Sequence, residues 1–148
     1  QKILYSCLKK KLLIKQKRSR GFSMKQVFLD VKGANKGHYA PGVISNGMLY
    51  ISGQLSLDLD TREVAVGGPA EHMKQALINV ERVLIAAGQT KDQVVQCRVY
   101  IADVSYWDAI NEVYGEFFGE HKPARIVVPV PALHFGCLVE IEAVAEVV

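Results

Sequence analysis

Residues 121–145 read HKPARIVVPVPALHFGCLVEIEAVA. Two apolar, β-branched runs flank a loop that holds Pro131 and Gly136, and such runs read as strands. Pro129 and Pro131 cannot donate to a ladder, which puts the first run at a sheet edge or a bulge. A lone Arg125 opens that run. The second run carries Glu140 and Glu142 two residues apart. Strand side chains alternate, so both carboxylates point to one side while Val139, Ile141 and Ala143 point to the other. One face of this sheet therefore meets a core and the other does not. A fixed cation beside edge carboxylates suits binding of an anionic small molecule and handling of a proton or a water.

Working outward, residues 26–31 (QVFLDV) read as a short strand, and the Gly-rich stretch 32–42 as a loop. Residues 43–58 form two strands joined through Asn46-Gly47, a strong hairpin signal. In the second of these, Leu49, Ile51, Leu55 and Leu57 are expected on one face. Met48, Tyr50, Ser52 and Gln54 are expected on the other. Gly53 inside the run predicts a bulge or a close backbone approach. Residues 70–87 carry Met73, Ala76, Leu77, Val80, Leu84 and Ala87 at helical spacing, and Gly88 stops them. Residues 93–101 alternate as a strand. Ser105 with Asp108 resembles a capping box opening a second helix, ended by Gly119. Strands near 125–130 and 137–147 close the chain. Both helices can cover one face of a single mixed sheet, so the expected class is α+β, a two-layer domain. The other face, with Tyr50, Gln96, Arg98 and Tyr100, suits a subunit interface.

The 148 residues make one domain. Their net charge of +3 is unevenly spread. Residues 1–23 hold eight basic and no acidic residues, leaving ten basic and 15 acidic in 24–148. The acidic remainder gives no charge-based case for nucleic-acid binding. Residues 1–23 are expected to be a basic extension, disordered or non-native, before a single domain over 24–148; a presequence and a functional basic arm are the alternatives. No apolar run reaches membrane-span length. Cys7, Cys97 and Cys137 form no even framework, which suits a reducing, cytoplasmic setting. The four histidines show no metal-ligand spacing, and no nucleotide-binding glycine motif occurs, so neither metal nor cofactor is expected. His121 is expected to order the turn before Arg125, and His134 to reach toward a cleft.

These segments resemble the RidA (YjgF, L-PSP) family, whose signature is a PAR tripeptide followed by an EIEA-type strand. The resemblance spans roughly residues 37–147. It includes Tyr39 after Gly37-His38, MLYISGQLSLD (48–58), the Gly67-Gly68 turn, AINEVYGEFFGEHKPAR (109–125) and VEIEAVA (139–145). It implies a chorismate-mutase-like homotrimer, with sheets packed into a central barrel and clefts between subunits. It implies roles as well: Arg125 pairs with a substrate carboxylate, Glu140 positions a water, Tyr39 closes over the substrate, and Gly53 lets substrate approach backbone. Val127 stands where many catalytic members have a Cys, and Ser105 where some have a pocket Asn, so both are substrate-binding candidates and both put pocket shape in question. Each residue also has a plainer reading. Arg125 can be a surface residue or an ion-pair partner, Glu140 and Glu142 solvent-facing strand residues, Tyr39 a packed loop aromatic, and Ser105 a helix cap.

The function implied is cofactor-free hydrolytic deamination of 2-imino or enamine acids to 2-keto acids and ammonia. A protein that binds a small carboxylate or a regulatory partner without turnover is the alternative. Endoribonuclease or translation-inhibitor activity is a third, weakened by the acidic domain and the absence of a histidine pair.

Overall fold

The structure is a computed structural model that describes residues 14–19, 22–31 and 37–148. Among the described residues, β1 (Ile14–Ser19), β2 (Phe22–Val27), β3 (Gly42–Ser45), β4 (Met48–Leu55), α1 (Pro69–Ala86), β5 (Val94–Ile101), α2 (Trp107–Phe118), β6 (Ala124–Pro129) and β7 (Val139–Glu146) follow in that order. The seven strands form one sheet in the order β1-β2-β3-β4-β7-β5-β6. All neighbours are antiparallel except β5 and β6, which run parallel across the α2 crossover. This is the α+β, two-layer mixed sheet the periodicities predict.

The core lies between one sheet face and the helices. On α1, Met73, Ala76, Leu77, Val80, Val83 and Leu84 are all buried. They meet Leu49 and Ile51 of β4, Val94, Cys97, Val99 and Ile101 of β5, and the Val139, Ile141, Ala143, Ala145 row of β7. Fully burying each Leu or Val contributes roughly 1.5–3 kcal/mol, so this stripe fixes which sheet face turns inward. Asn46 and Gly47 have φ of 51° and 74°, the pair of positive values that a tight hairpin needs. Gly88, at φ 76°, takes the left-handed position after α1. Cys97 and Cys137 are buried free thiols, and Cys7 lies outside the described residues.

Two local expectations are corrected. The strand expected at 26–31 is β2 at Phe22–Val27, pairing with β3 through Met24–Val27. β2 lies between β1 and β3, and backbone pairing from both sides carries the ladder back past the expected start. Leu29, past the ladder, is still buried. Of the basic extension, Ile14–Ser19 forms β1, antiparallel to β2, and Phe22 and Ser23 belong to β2 itself; residues 1–13, 20 and 21 lie outside the described residues. Lastly, Ser105 does not cap α2. The Asp103 carboxylate accepts the Ser105 backbone N–H at 2.8 Å and opens a 3₁₀ turn over Val104–Tyr106, and α2 follows from Trp107.

Candidate active site

The site begins with an irregularity in β4. Its register against β7 shifts between Ile51 and Gln54, a bulge centred on Gly53. The shift inverts the alternation beyond it. Leu49 and Ile51 face the core as expected, but Gln54 is then buried and Leu55 turns out of the core. The face assignment for Gln54 and Leu55 is thereby overturned, because one extra residue flips every later side chain. The buried Asn79 of α1 holds the new path, donating from Nδ2 to the carbonyls of Leu55 (2.9 Å) and Leu57 (2.7 Å). Ser52 ties down the preceding loop: its Oγ donates to the Ala40 carbonyl at 2.7 Å and its N–H to the Pro41 carbonyl at 3.0 Å. The tie places Tyr39 in the lining of a cleft of about 220 Å³. Leucines 29, 55, 57 and 59, Gly53, Arg62, His134 and Phe135 line it as well. His134 thus reaches the cleft, as expected.

Glu140 stands against Gly53. A Cβ built on Gly53 would collide with Glu140 Oε1, so the glycine makes room for the carboxylate. In the ladder Glu140 lies opposite Leu55 on one side and Tyr100 on the other. It is half-buried, and burial pushes its pKa above the ordinary carboxylate value. Nearby His134 opposes that rise and Glu142 adds to it. Glu142 is not a free carboxylate: it pairs with Arg98 at 2.5 Å.

Arg125 is elsewhere. On the edge strand β6 it lies opposite Cys97, and Val127 opposite Val99, both core positions of β5. Its guanidinium therefore lies on the helix side, over the rings of Tyr114 (4.6 Å to the centroid) and Trp107 (5.5 Å). Nη2 donates to Asn111 Oδ1 at 3.0 Å. Among the described residues no carboxylate pairs with it. Burial pushes the Cys97 thiol up to about 11 and raises the Tyr114 hydroxyl, with the guanidinium opposing both. Val127 packs against the core beside Arg125. His121 orders the turn before β6, its Nε2 bonded to the Val94 carbonyl at 2.6 Å.

Glu140 lies opposite Tyr100 and Arg125 opposite Cys97, three residues apart on β5, so the two point to opposite faces of the sheet. Within one chain the structure brings together Tyr39, Gly53 and Glu140, and separately Arg125 and Val127. Ser105 is exposed and does not line the cleft. Sequence reasoning missed Trp107, Asn111 and Arg62. For the first two a signal was present: Trp107, Asn111 and Tyr114 fall at i, i+4 and i+7, a helix face on which Asn is the polar exception. Among the described residues no group of three or more potential ligands can hold a metal ion, and no helix is long and apolar enough to cross a membrane.

Residues 32–147 match the family profile described as endoribonuclease L-PSP. The human 2-iminobutanoate/2-iminopropanoate deaminase is 40% identical over 109 residues, 74% of this chain and 80% of that protein. The crystal structure of RidA from an Antarctic Psychrobacter is similar with a TM-score of 0.73 at 35% identity, covering 77% of this chain and 92% of that one. That of E. coli TdcF with bound serine has a TM-score of 0.70 at 34% identity, covering 74% and 88%. With the PAR tripeptide on its edge strand, the EIE strand against the Gly53 bulge and a profile match over most of its length, this chain belongs to the RidA (YjgF, L-PSP) family.

Proposed function

We propose that this protein hydrolyses reactive 2-imino and enamine acids to 2-keto acids and ammonia, at a site completed by two copies of the chain. One observation carries the reading. Among the described residues, a guanidinium without a carboxylate partner lies over aromatic rings at one sheet edge, and a half-buried carboxylate of raised proton affinity stands over a side-chain-free backbone position on the other face. These are the two groups that hydrolysis of an imino acid needs. The human relative named as such a deaminase supports the substrate class.

Arg125 of one copy takes the substrate carboxylate through two parallel N–H···O bonds. The imine carbon then lies beside Gly53 of the neighbouring copy. Glu140 accepts a proton from a water as the water oxygen bonds to that carbon and the C=N π pair moves to nitrogen. That proton passes to the nitrogen to give the carbinolamine; Glu140 then relays the hydroxyl proton to the nitrogen as the C=O forms, the C–N bond breaks and ammonia leaves. Burial suits Glu140 to the step, because a carboxylate of raised pKa is a stronger base. Positioning supplies most of the rate, since imines also hydrolyse in water.

The test generates 2-iminobutanoate in situ and follows its lifetime by trapping. Wild type shortens the lifetime catalytically; an unchanged lifetime at stoichiometric protein sinks the proposal. Binding of a small carboxylate without turnover is the second reading, favoured by the bound serine in the TdcF structure. It predicts carboxylate binding with no change in imine lifetime.

A further inference from the structure

Arg62 sits in the turn that follows β4, where the Arg62 N–H donates to the Asp58 carbonyl and the Asp58 N–H to the Glu63 carbonyl, both at 2.8 Å. Its φ is +67°, the left-handed region that disfavours any residue with a Cβ and that glycine adopts freely. Such a position carries a side chain at a cost in backbone strain. The neighbouring acids do not occupy it. Asp58 Oδ1 accepts the N–H groups of Asp60 and Thr61 at 2.8 and 2.9 Å. Asp60 holds Arg82 through two bonds of 3.0 and 3.2 Å. Among the described residues no carboxylate pairs with Arg62, and its side chain lines the cleft.

The cleft thus combines unlike groups. Gly53, against which the Glu140 carboxylate stands, lines it together with the four leucines, Arg62 and His134. A purely apolar side chain would fill the wall and leave the guanidinium unused. A purely polar one would be desolvated against leucine without a partner. The complementary ligand has a carboxylate for Arg125, a reacting carbon at Glu140, a few methylenes for the wall, and a second anionic group for Arg62.

We infer that Arg62 makes this cleft selective for 2-imino and 2-keto acids whose side chain ends in a second carboxylate. The inference rests on the proposed site, and binding tests it independently of turnover. Titrations with 2-oxoglutarate and 2-oxopentanoate compare five-carbon acids that differ in the terminal carboxylate. Wild type is expected to bind the diacid about five- to tenfold tighter, as one charge-assisted contact to an exposed side chain provides. Arg62→Gly, which suits the backbone and keeps the fold, is expected to bring that ratio to about one. Arg62→Lys, keeping the charge without the fork, should fall between. A wild-type ratio at or below one, a ratio unchanged in Arg62→Gly, or no binding of either acid overturns the inference. The expected ratio without imine turnover leaves the inference standing and removes the deaminase reading.

Discussion

At Gly53 the space a side chain would fill is taken by the Glu140 carboxylate. The colliding atom is the far end of a flexible side chain, so Gly53→Ala can be accommodated by moving that carboxylate and little else. The substitution should change stability by less than about 1 kcal/mol. Turnover should fall by at least about tenfold, because a displaced base loses its reach to the water. Equal stability and equal turnover would show that the closeness of Gly53 and Glu140 has no catalytic meaning. Arg125 poses a different question, since its charge and its shape are separable. Arg125→Lys keeps the charge but loses the fork and the stacking on Tyr114 and Trp107. It should weaken 2-keto acid binding by about one decade, and Arg125→Ala by about one to two. Wild-type binding by Arg125→Ala would remove Arg125 from the site. Arg125 and Glu140 could be singled out as candidates because their motifs are local, PAR and EIE. For Asn111 the sequence offered only its place on the Trp107–Tyr114 helix face, because its bond to Arg125 spans 14 positions.

At the scale of elements, α1 does more than cover the sheet. Two of its buried polar residues hold the strand ends that shape the cleft, Asn79 through the carbonyls after the bulge and His72 through a bond network. His72 Nδ1 lies 2.6 Å from Ser56 Oγ, just past β4, and accepts the backbone N–H of Leu138 at 3.1 Å, just before β7. A nitrogen accepting these bonds carries no proton, and burial lowers the pKa of His72 below its ordinary 6.5, with only adjacent Glu71 opposing. The sign follows from linkage. Below about pH 6.5 the unfolded chain binds a proton that the folded chain resists, so stability falls as pH drops until the folded-state pKa is reached. Thermal midpoints of wild type should decline from pH 7 toward 5 more steeply than those of His72→Gln, whose amide oxygen can accept the same bonds without titrating. Parallel curves would show that His72 does not set this dependence. None of this was legible in the sequence. The alternation of β4 predicts a face for Leu55, and composition signals a bulge at Gly53, but the pattern does not say which side chains follow the flip. The helices, by contrast, were legible to within a residue or two, since a repeated apolar stripe outweighs any single position.

The whole molecule leaves large apolar side chains exposed on its open sheet face. Tyr50 and Ile126 are 49% and 52% exposed there, beside the Arg98–Glu142 pair. A second copy would bury them, and a trimer is the assembly the family resemblance implies. In a single chain Arg125 and Glu140 face away from each other across the sheet. A site that needs both must take them from two copies, and this has a consequence that neither single variant can show. Arg125→Ala and Glu140→Gln should each be inactive toward imino acids. If a cyclic assembly pairs the Arg125 of one copy with the Glu140 of the next, mixing the two variants and allowing subunits to exchange restores intact sites. With random mixing at equal amounts, about a quarter of sites receive both wild-type groups, so activity should recover to roughly a quarter of wild type. The recovery should follow the kinetics of subunit exchange, and light scattering should report about three chains throughout. A monomer, or a mixture that stays as inactive as its parents after exchange is complete, would mean that Arg125 and Glu140 never serve one substrate together.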